Sequence, residues 1–279
     1  MSSFTGRARR YAANLLVRGL DSTPDKRAEG LPPSDTPAGS RTVTRGFFED
    51  YPRFFETSET SATPWRLHLR YEAIFAENRD AFAGARVLDI ASHDARWSLA
   101  ALRTGATHVT CIEAKPELIE ESRANLAAYD VAPDAVDLRT GDVFHVLAED
   151  QPQVDVVLCL GFFYHTLRYV ELWKRMSQCG PRTILIDTVI HPGVDEAFVR
   201  VTDEPVERQG NAVPDDFSTD EMVVTGRPTV RAMQVMARAY GYRLAGLSDW
   251  SALLRDNPDA NDIGDYRKGR RVTVRFDRA

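Results

Sequence analysis

Cysteine is scarce in this chain. There are three in 279 residues, Cys111, Cys159 and Cys179, and no C-x-x-C pair. That excludes a secreted-type disulfide framework and fits a reducing, cytoplasmic setting. Long apolar runs are missing too, and the chain lacks the roughly 20-residue stretch a membrane-spanning helix needs. The basic N-terminus has an apolar run from Ala12 to Val17, but Asn14 breaks it and it is too short for a signal core. A surplus of base is also absent: the net charge is −6, although the first twenty residues carry Arg7, Arg9, Arg10 and Arg18 and no acid. The remainder is therefore more acidic than the total, a poor body for neutralising nucleic-acid phosphates. With 43% hydrophobic residues the chain can still bury a sizeable core, and its length favours one large domain with additions.

The pattern that is present is alternation. Apolar strands are expected near 86–90, 108–112, 136–140, 154–160, 182–190, 242–248 and 271–276. Helices are expected near 96–104, 116–129, 143–149, 167–178 and 229–240. Such alternation predicts an α/β fold: a Rossmann-like, mostly parallel seven-stranded sheet with helices on both faces. The last two strands have no predicted helix between them and form an antiparallel edge. Residues 1–45 read as an amphipathic helix followed by a flexible linker rich in Pro, Ser, Thr, Asp and Gly. Residues 46–82 read as a helical segment, entered through the aromatic cluster Phe47 to Phe55 and capped by Thr63-Pro64. Its aromatics either close over a ligand as a lid or pack on the core. The core spans 83–279, with a Pro/Gly-punctuated insertion at about 191–228 placed to cap an acceptor site.

The densest signal runs from Arg86 to Glu113. A strand carries Asp89, a polar turn follows, then a helix, and a second strand closes on Glu113. Ligands of open α/β sheets bind at the carboxyl ends of the strands, and a carboxylate after the second strand suits the two hydroxyls of a ribose. The frame Asp89-Ile90-Ala91-Ser92-His93-Asp94-Ala95 resembles the first motif of class I S-adenosylmethionine (SAM)-dependent methyltransferases, D-x-G-x-G-x-G. All three glycines are replaced, two by alanine and one by His93, where glycine would normally supply positive φ and close approach.

The resemblance implies a SAM site built from Asp89, Ala91, His93, Glu113, Asp142, Val143 and Gly161. Asp142 is read equally as a contact to the adenine amino group or as a helix cap. Gly161-Phe162-Phe163-Tyr164-His165 resembles the G-x-x-Y-H segment of several small-molecule and tRNA-wobble-modifying members, and it is not the [D/N]-P-P-[Y/F] segment of amino-group methylators. His165 is the candidate general base, since histidine titrates near neutral pH. Asp187 and His191 lie at the same edge as further catalytic candidates, or with another acid as ligands to a divalent ion such as magnesium; no spacing here is diagnostic of a metal site. Tyr164, Phe163 and Tyr51 are candidate acceptor contacts.

The function implied is O-methylation of a small polar acceptor, best read as a sugar or glycosylated metabolite. That choice rests on the acid-rich insertion and on aromatic residues able to stack on sugar rings. A tRNA-modifying relative and a catalytically inactive scaffold are the competing readings. The expected partners are a small molecule and a second copy of the chain, with no nucleic acid and no stable membrane insertion.

Overall fold

A computed structural model describes residues 45–58, 63–193, 195–206, 210–219, 221–261 and 263–279. The predicted N-terminal amphipathic helix and most of its linker lie outside the described residues.

Seven strands form one sheet: β1 Arg86–Ile90, β2 His108–Glu113, β3 Val136–Thr140, β4 Val156–Leu160, β5 Thr183–Val189, β8 Tyr242–Leu247 and β9 Arg271–Arg278. Two further strands, β6 Val199–Pro205 and β7 Met222–Pro228, make a separate antiparallel hairpin. The sheet order is β3-β2-β1-β4-β5-β9-β8. Strands β1 to β5 are parallel, while β9 runs antiparallel to both β5 and β8. The order reverses between β1 and β4, which places the switch point beside the turn after β1.

The helices are α1 Arg53–Thr57, α2 Pro64–Tyr71, α3 Arg79–Phe82, α4 Arg96–Thr104, α5 Pro116–Ala128, α6 Val143–Glu149, α7 Tyr169–Gln178, α8 Val230–Ala239, α9 Trp250–Asp256 and α10 Gly264–Arg267. Side chains on a strand alternate between faces, and the core divides accordingly. Val87, Val109, Val156 and Leu158 join Phe48, Phe54, Phe75 and Trp97 on one face. Leu88, Ile90, Val157, Cys159 and Ile186 join Phe163, Trp173 and Phe276 on the other. Burial on both faces explains why β4 reads as an unbroken apolar run.

Three local expectations change. The helix opened by Thr63, whose side chain accepts from the Arg66 N–H, runs only to Tyr71 before a π-helical stretch, Glu72–Ala76. The insertion holds the β6–β7 hairpin rather than loop alone. Between β8 and β9, where no helix is predicted, lie α9 and α10. They are short, but Asp249 caps the first, accepting from the Ala252 N–H at 2.9 Å. Their Trp250, Leu253, Leu254 and Tyr266 bury against Leu69 and Ala73. Among the described residues, no helix is long and apolar enough to cross a membrane.

Candidate functional site

The turn after β1 keeps a glycine-like backbone without glycine. Ala91, His93 and Ala95 all take left-handed conformations, with φ of 53°, 55° and 64°. L-residues resist this region, so the surroundings must impose it. They do so with a dense set of bonds. The Ser92 N–H donates to the Ile112 carbonyl at 3.1 Å. Ser122 Oγ donates to the His93 carbonyl at 2.8 Å, and Asn125 Nδ2 to that of Asp94 at 3.2 Å. The fully buried Asp94 carboxylate accepts from Arg96 Nε at 2.6 Å and Thr57 Oγ1 at 2.8 Å. Burial opposes its charge, yet Arg96 and the Thr57 bond outweigh burial and hold its pKa at about 2.

A cleft of about 380 Å³ opens over this turn, within the range of roughly 300–1,000 Å³ usual for small-molecule sites. Glu113 ends β2 at its floor. Glu113 Oε2 accepts from the His93 N–H at 3.0 Å and Oε1 from the Lys115 N–H at 3.1 Å. A carboxylate has about four acceptor positions, so capacity remains for ligand hydroxyls. Ile112, Leu118, Val143, Leu160 and Phe162 supply an apolar lining.

Asp142 caps α6, its Oδ1 accepting from the Phe144 N–H at 2.8 Å and the His145 N–H at 3.3 Å. It is thus a helix cap that also lines the cleft. Gly161, with φ of 108°, lets the chain turn beneath the cleft after β4.

His93 lines the cleft and lies 2.8 Å from Arg96 Nη2 through its Nδ1. Arginine can only donate, so Nδ1 accepts and Nε2 carries the proton. That Nε2 is buried and without a protein partner. An oxygen at the amino-acid end of a bound SAM would satisfy it, and the ribose of SAM fits Glu113. These residues fit the cofactor.

Asp89 takes a different place from the one expected. It is buried under the turn and accepts from Ser98 Oγ at 2.6 Å. Burial lifts its pKa to about 7, with the Ser98 bond opposing and the Glu113 charge adding. Asp89 is not among the cleft-lining residues.

On the other side of the switch point, the short turn Phe163–His165 divides its side chains. Tyr164 and His165 line the cleft. Phe163 is fully buried, 4.8 Å from the Tyr169 ring, and this corrects its assignment as an acceptor contact. His165 Nδ1 lies 2.5 Å from Glu204 Oε1 on β6, which also accepts from the Ala212 N–H at 2.8 Å. Burial favours neutral Glu204, but its bond to His165 prevails and holds the carboxyl below its usual range. With Nδ1–H committed to Glu204, Nε2 of neutral His165 keeps its lone pair.

Three other assignments are corrected by packing. Asp187 does not reach the cleft. It is fully buried and accepts four bonds: from Arg70 Nη2 (3.1 Å) and Arg271 Nε (2.7 Å) on Oδ1, and from Tyr266 Oη (2.7 Å) and Thr273 Oγ1 (2.6 Å) on Oδ2. Burial opposes its charge, but Arg271 and Arg70 overcome this and drive its pKa far below the ordinary range. Saturated this way, it is neither a proton acceptor nor a ready metal ligand. His191 follows β5 but packs on Phe198, 5.3 Å between ring centroids, away from the cleft. Tyr51 packs between Phe47 and Tyr129, and Phe48 and Phe54 are fully buried, so these aromatics join the core. Among the described residues, no group of three or more His, Cys, Asp or Glu side chains could hold a metal ion.

Sequence reasoning missed Glu204 as the partner of His165, and it missed the arginines. Arg66, Arg70 and Arg271 line the cleft together with Asp265. A buried acid inside a strand, as at Asp187, was the available signal, because such a charge demands cationic partners.

Comparison with known proteins agrees with this fold. The methyltransferase-domain family matches residues 87–179. The fold is similar to the N-terminal domain of EvdMO1 solved in the presence of SAH and D-fucose, at 18% identity and a TM-score of 0.54, covering 86% of this chain and 99% of that one. It is also similar to an S-adenosylmethionine-dependent methyltransferase described as putative from Listeria monocytogenes, at 15% identity and a TM-score of 0.51, covering 76% and 99%. A third, an S-adenosylmethionine-dependent methyltransferase from Mesorhizobium loti, gives 14% identity and a TM-score of 0.50, covering 72% and 96%. No curated protein sequence matches the chain. The strand order and the family match over residues 87–179 converge on the fold: the chain has the class I fold of SAM-dependent methyltransferases.

Proposed function

We propose that the protein transfers a methyl group from SAM to a hydroxyl of a small polar acceptor, a sugar or glycosylated metabolite. The observation that carries this reading is the His165–Glu204 pair at the cleft wall. An electron-rich amine needs no such base, whereas a hydroxyl must lose its proton as it attacks.

When bound, the cofactor supplies an activated methyl on a positively charged sulfur. The chain supplies the rest. Glu113 holds the ribose hydroxyls, and His93 Nε2 holds an oxygen of the amino-acid end. His165 Nε2 would take the proton of the acceptor hydroxyl as that oxygen attacks the methyl group SAM would supply, SAH being the leaving product. Glu204 fixes the tautomer and stabilises the imidazolium that results. Asn211, Ala212 and Val213, adjoining the hairpin, wall the cleft against water. The likeness to a domain solved in the presence of SAH and D-fucose supports the sugar reading.

The test is transfer of labelled methyl from SAM to a panel of free and glycosidic sugars, with parallel SAH titration. Base-stable methyl ethers are expected. His165→Ala should lower turnover by roughly 10²–10⁴-fold and spare SAH affinity. Label recovered only in esters or amines, or wild-type turnover in His165→Ala, overturns the reading.

A further inference from the structure

Two guanidiniums at one end of the cleft share a single carboxylate. Arg70 and Arg271 are each 7% exposed, and both bond to Oδ1 of Asp187. The adjoining Arg66 is already matched, paired with Asp265 through two bonds of 2.8 and 2.7 Å. Among the described residues, these three arginines and two carboxylates leave one positive charge in excess, on side chains largely withdrawn from water. Arginine cannot relieve this by losing its proton.

Hydrogen-bond capacity is also left over. Arg70 Nε is buried with no partner. Among the described residues, Arg70 bonds through Nη2 alone and Arg271 through Nε alone. Trp97 lies under Arg70 at 4.6 Å and Tyr164 under Arg271 at 5.5 Å. These rings soften the charge but offer no in-plane acceptor. Both arginines line the cleft, where the oxygens of a ligand could reach them.

Position separates this end from the cofactor. Along the strand tips the order is Asp142 after β3, Glu113 on β2, His93 after β1, His165 after β4 and Arg271 on β9. Glu113 and Arg271 thus stand on opposite sides of His165. The donor for the cofactor's amino-acid end is already present as His93 Nε2. We propose that the acceptor carries an anionic oxyacid group, a carboxylate or a phosphate, which seats on Arg70 and Arg271 while its hydroxyl meets His165. Two forked guanidiniums around one site match the planar or tetrahedral oxygens of such a group. This inference rests on the methyl-transfer reading of the cleft and narrows its substrate class to acidic sugars and sugar phosphates.

The test uses the full chain saturated with SAH. It is titrated in a calorimeter with D-glucuronate, D-glucose 6-phosphate and neutral D-glucose at low salt. At least tenfold tighter binding of an anionic probe than of glucose is expected; glucuronate preference identifies a carboxylate, glucose 6-phosphate preference a phosphate. Arg271→Gln should erase the preference while SAH affinity stays within twofold, and Arg70→Lys, which keeps the charge but not the fork, should reduce it. Equal or absent binding of all three sugars overturns the inference. So does an Arg271→Gln variant that weakens SAH and leaves the anion preference intact, since the arginines would then serve the cofactor. Failure of SAH itself to bind the wild type is a different result and refutes the methyl-transfer reading.

Discussion

Replacing Ala91 with glycine should be neutral to stabilising, in contrast to the same change in a helix. Ala91 sits at φ of 53° and is half-buried. A Cβ in the left-handed region costs about 1–2 kcal/mol. Glycine removes that strain but gains about 0.4–1 kcal/mol of entropy in the unfolded chain. The balance is a gain of up to about 1.5 kcal/mol, less whatever the half-buried methyl contributes by burial, at most about 0.8 kcal/mol. Ala100 is the control, fully buried in α4. There glycine relieves no strain, costs about 1 kcal/mol in helix propensity and loses a methyl worth about 0.8 kcal/mol. Urea denaturation of both variants reads the difference, expected at roughly 1–3 kcal/mol in favour of Ala91→Gly. The backbone of the turn is unchanged, so SAH affinity should stay near wild type. If Ala91→Gly loses as much stability as Ala100→Gly, the turn is not strained and the explanation of the missing glycines fails.

Glu113→Gln should keep the acceptors for the His93 and Lys115 amides on one side only, and weaken charged hydrogen bonds to a ribose. About 1.5–3 kcal/mol is at stake, so SAH titration should show a roughly ten- to hundredfold weaker Kd; an unchanged Kd removes the ribose role. Asp89→Asn should change the pH dependence of stability. The Asp89 carboxyl is raised from its ordinary 3.8 to about 7, so between those values the folded chain holds a proton that the unfolded chain has released. Stability from this group therefore falls as pH rises from about 4 to 7. The Asn variant lacks that loss and should gain on wild type in thermal unfolding across this window. A difference independent of pH shows that Asp89 is ionised throughout.

Much of the sheet was readable because its parallel strands are buried on both faces. Val156–Leu160 and Thr183–Val189 stand out as apolar blocks, and Pro116 and Gly105 mark helix boundaries in the sequence. Glu113 and Gly161 were legible for a related reason: each ends or follows such a block at the edge where ligands bind. The hairpin was harder to see. In β6 the inward roles are few: Val199 packs against the core, Thr202 meets Thr225 Oγ1 at 2.9 Å and Glu204 meets His165. The rest of the strand is partly exposed and reads as loop. The arginines illustrate a different limit. Arg70 and Asp187 are 117 positions apart, and Arg271 lies 84 beyond Asp187. Their meeting is a product of sheet order, with β9 inserted between β5 and β8, and local patterning does not encode it.

The hairpin has one more consequence. It is an insertion in the domain, yet it delivers Glu204 to His165 and leads into the segment Gly210 to Val213 along the cleft. In the proposed reaction the same module thus holds the proton acceptor in register and shapes the space the acceptor fills. Chemistry and selectivity are welded to one replaceable part. A chimera that swaps this hairpin for a relative's should not trade one acceptor for another at constant rate; it should lose or regain both properties together.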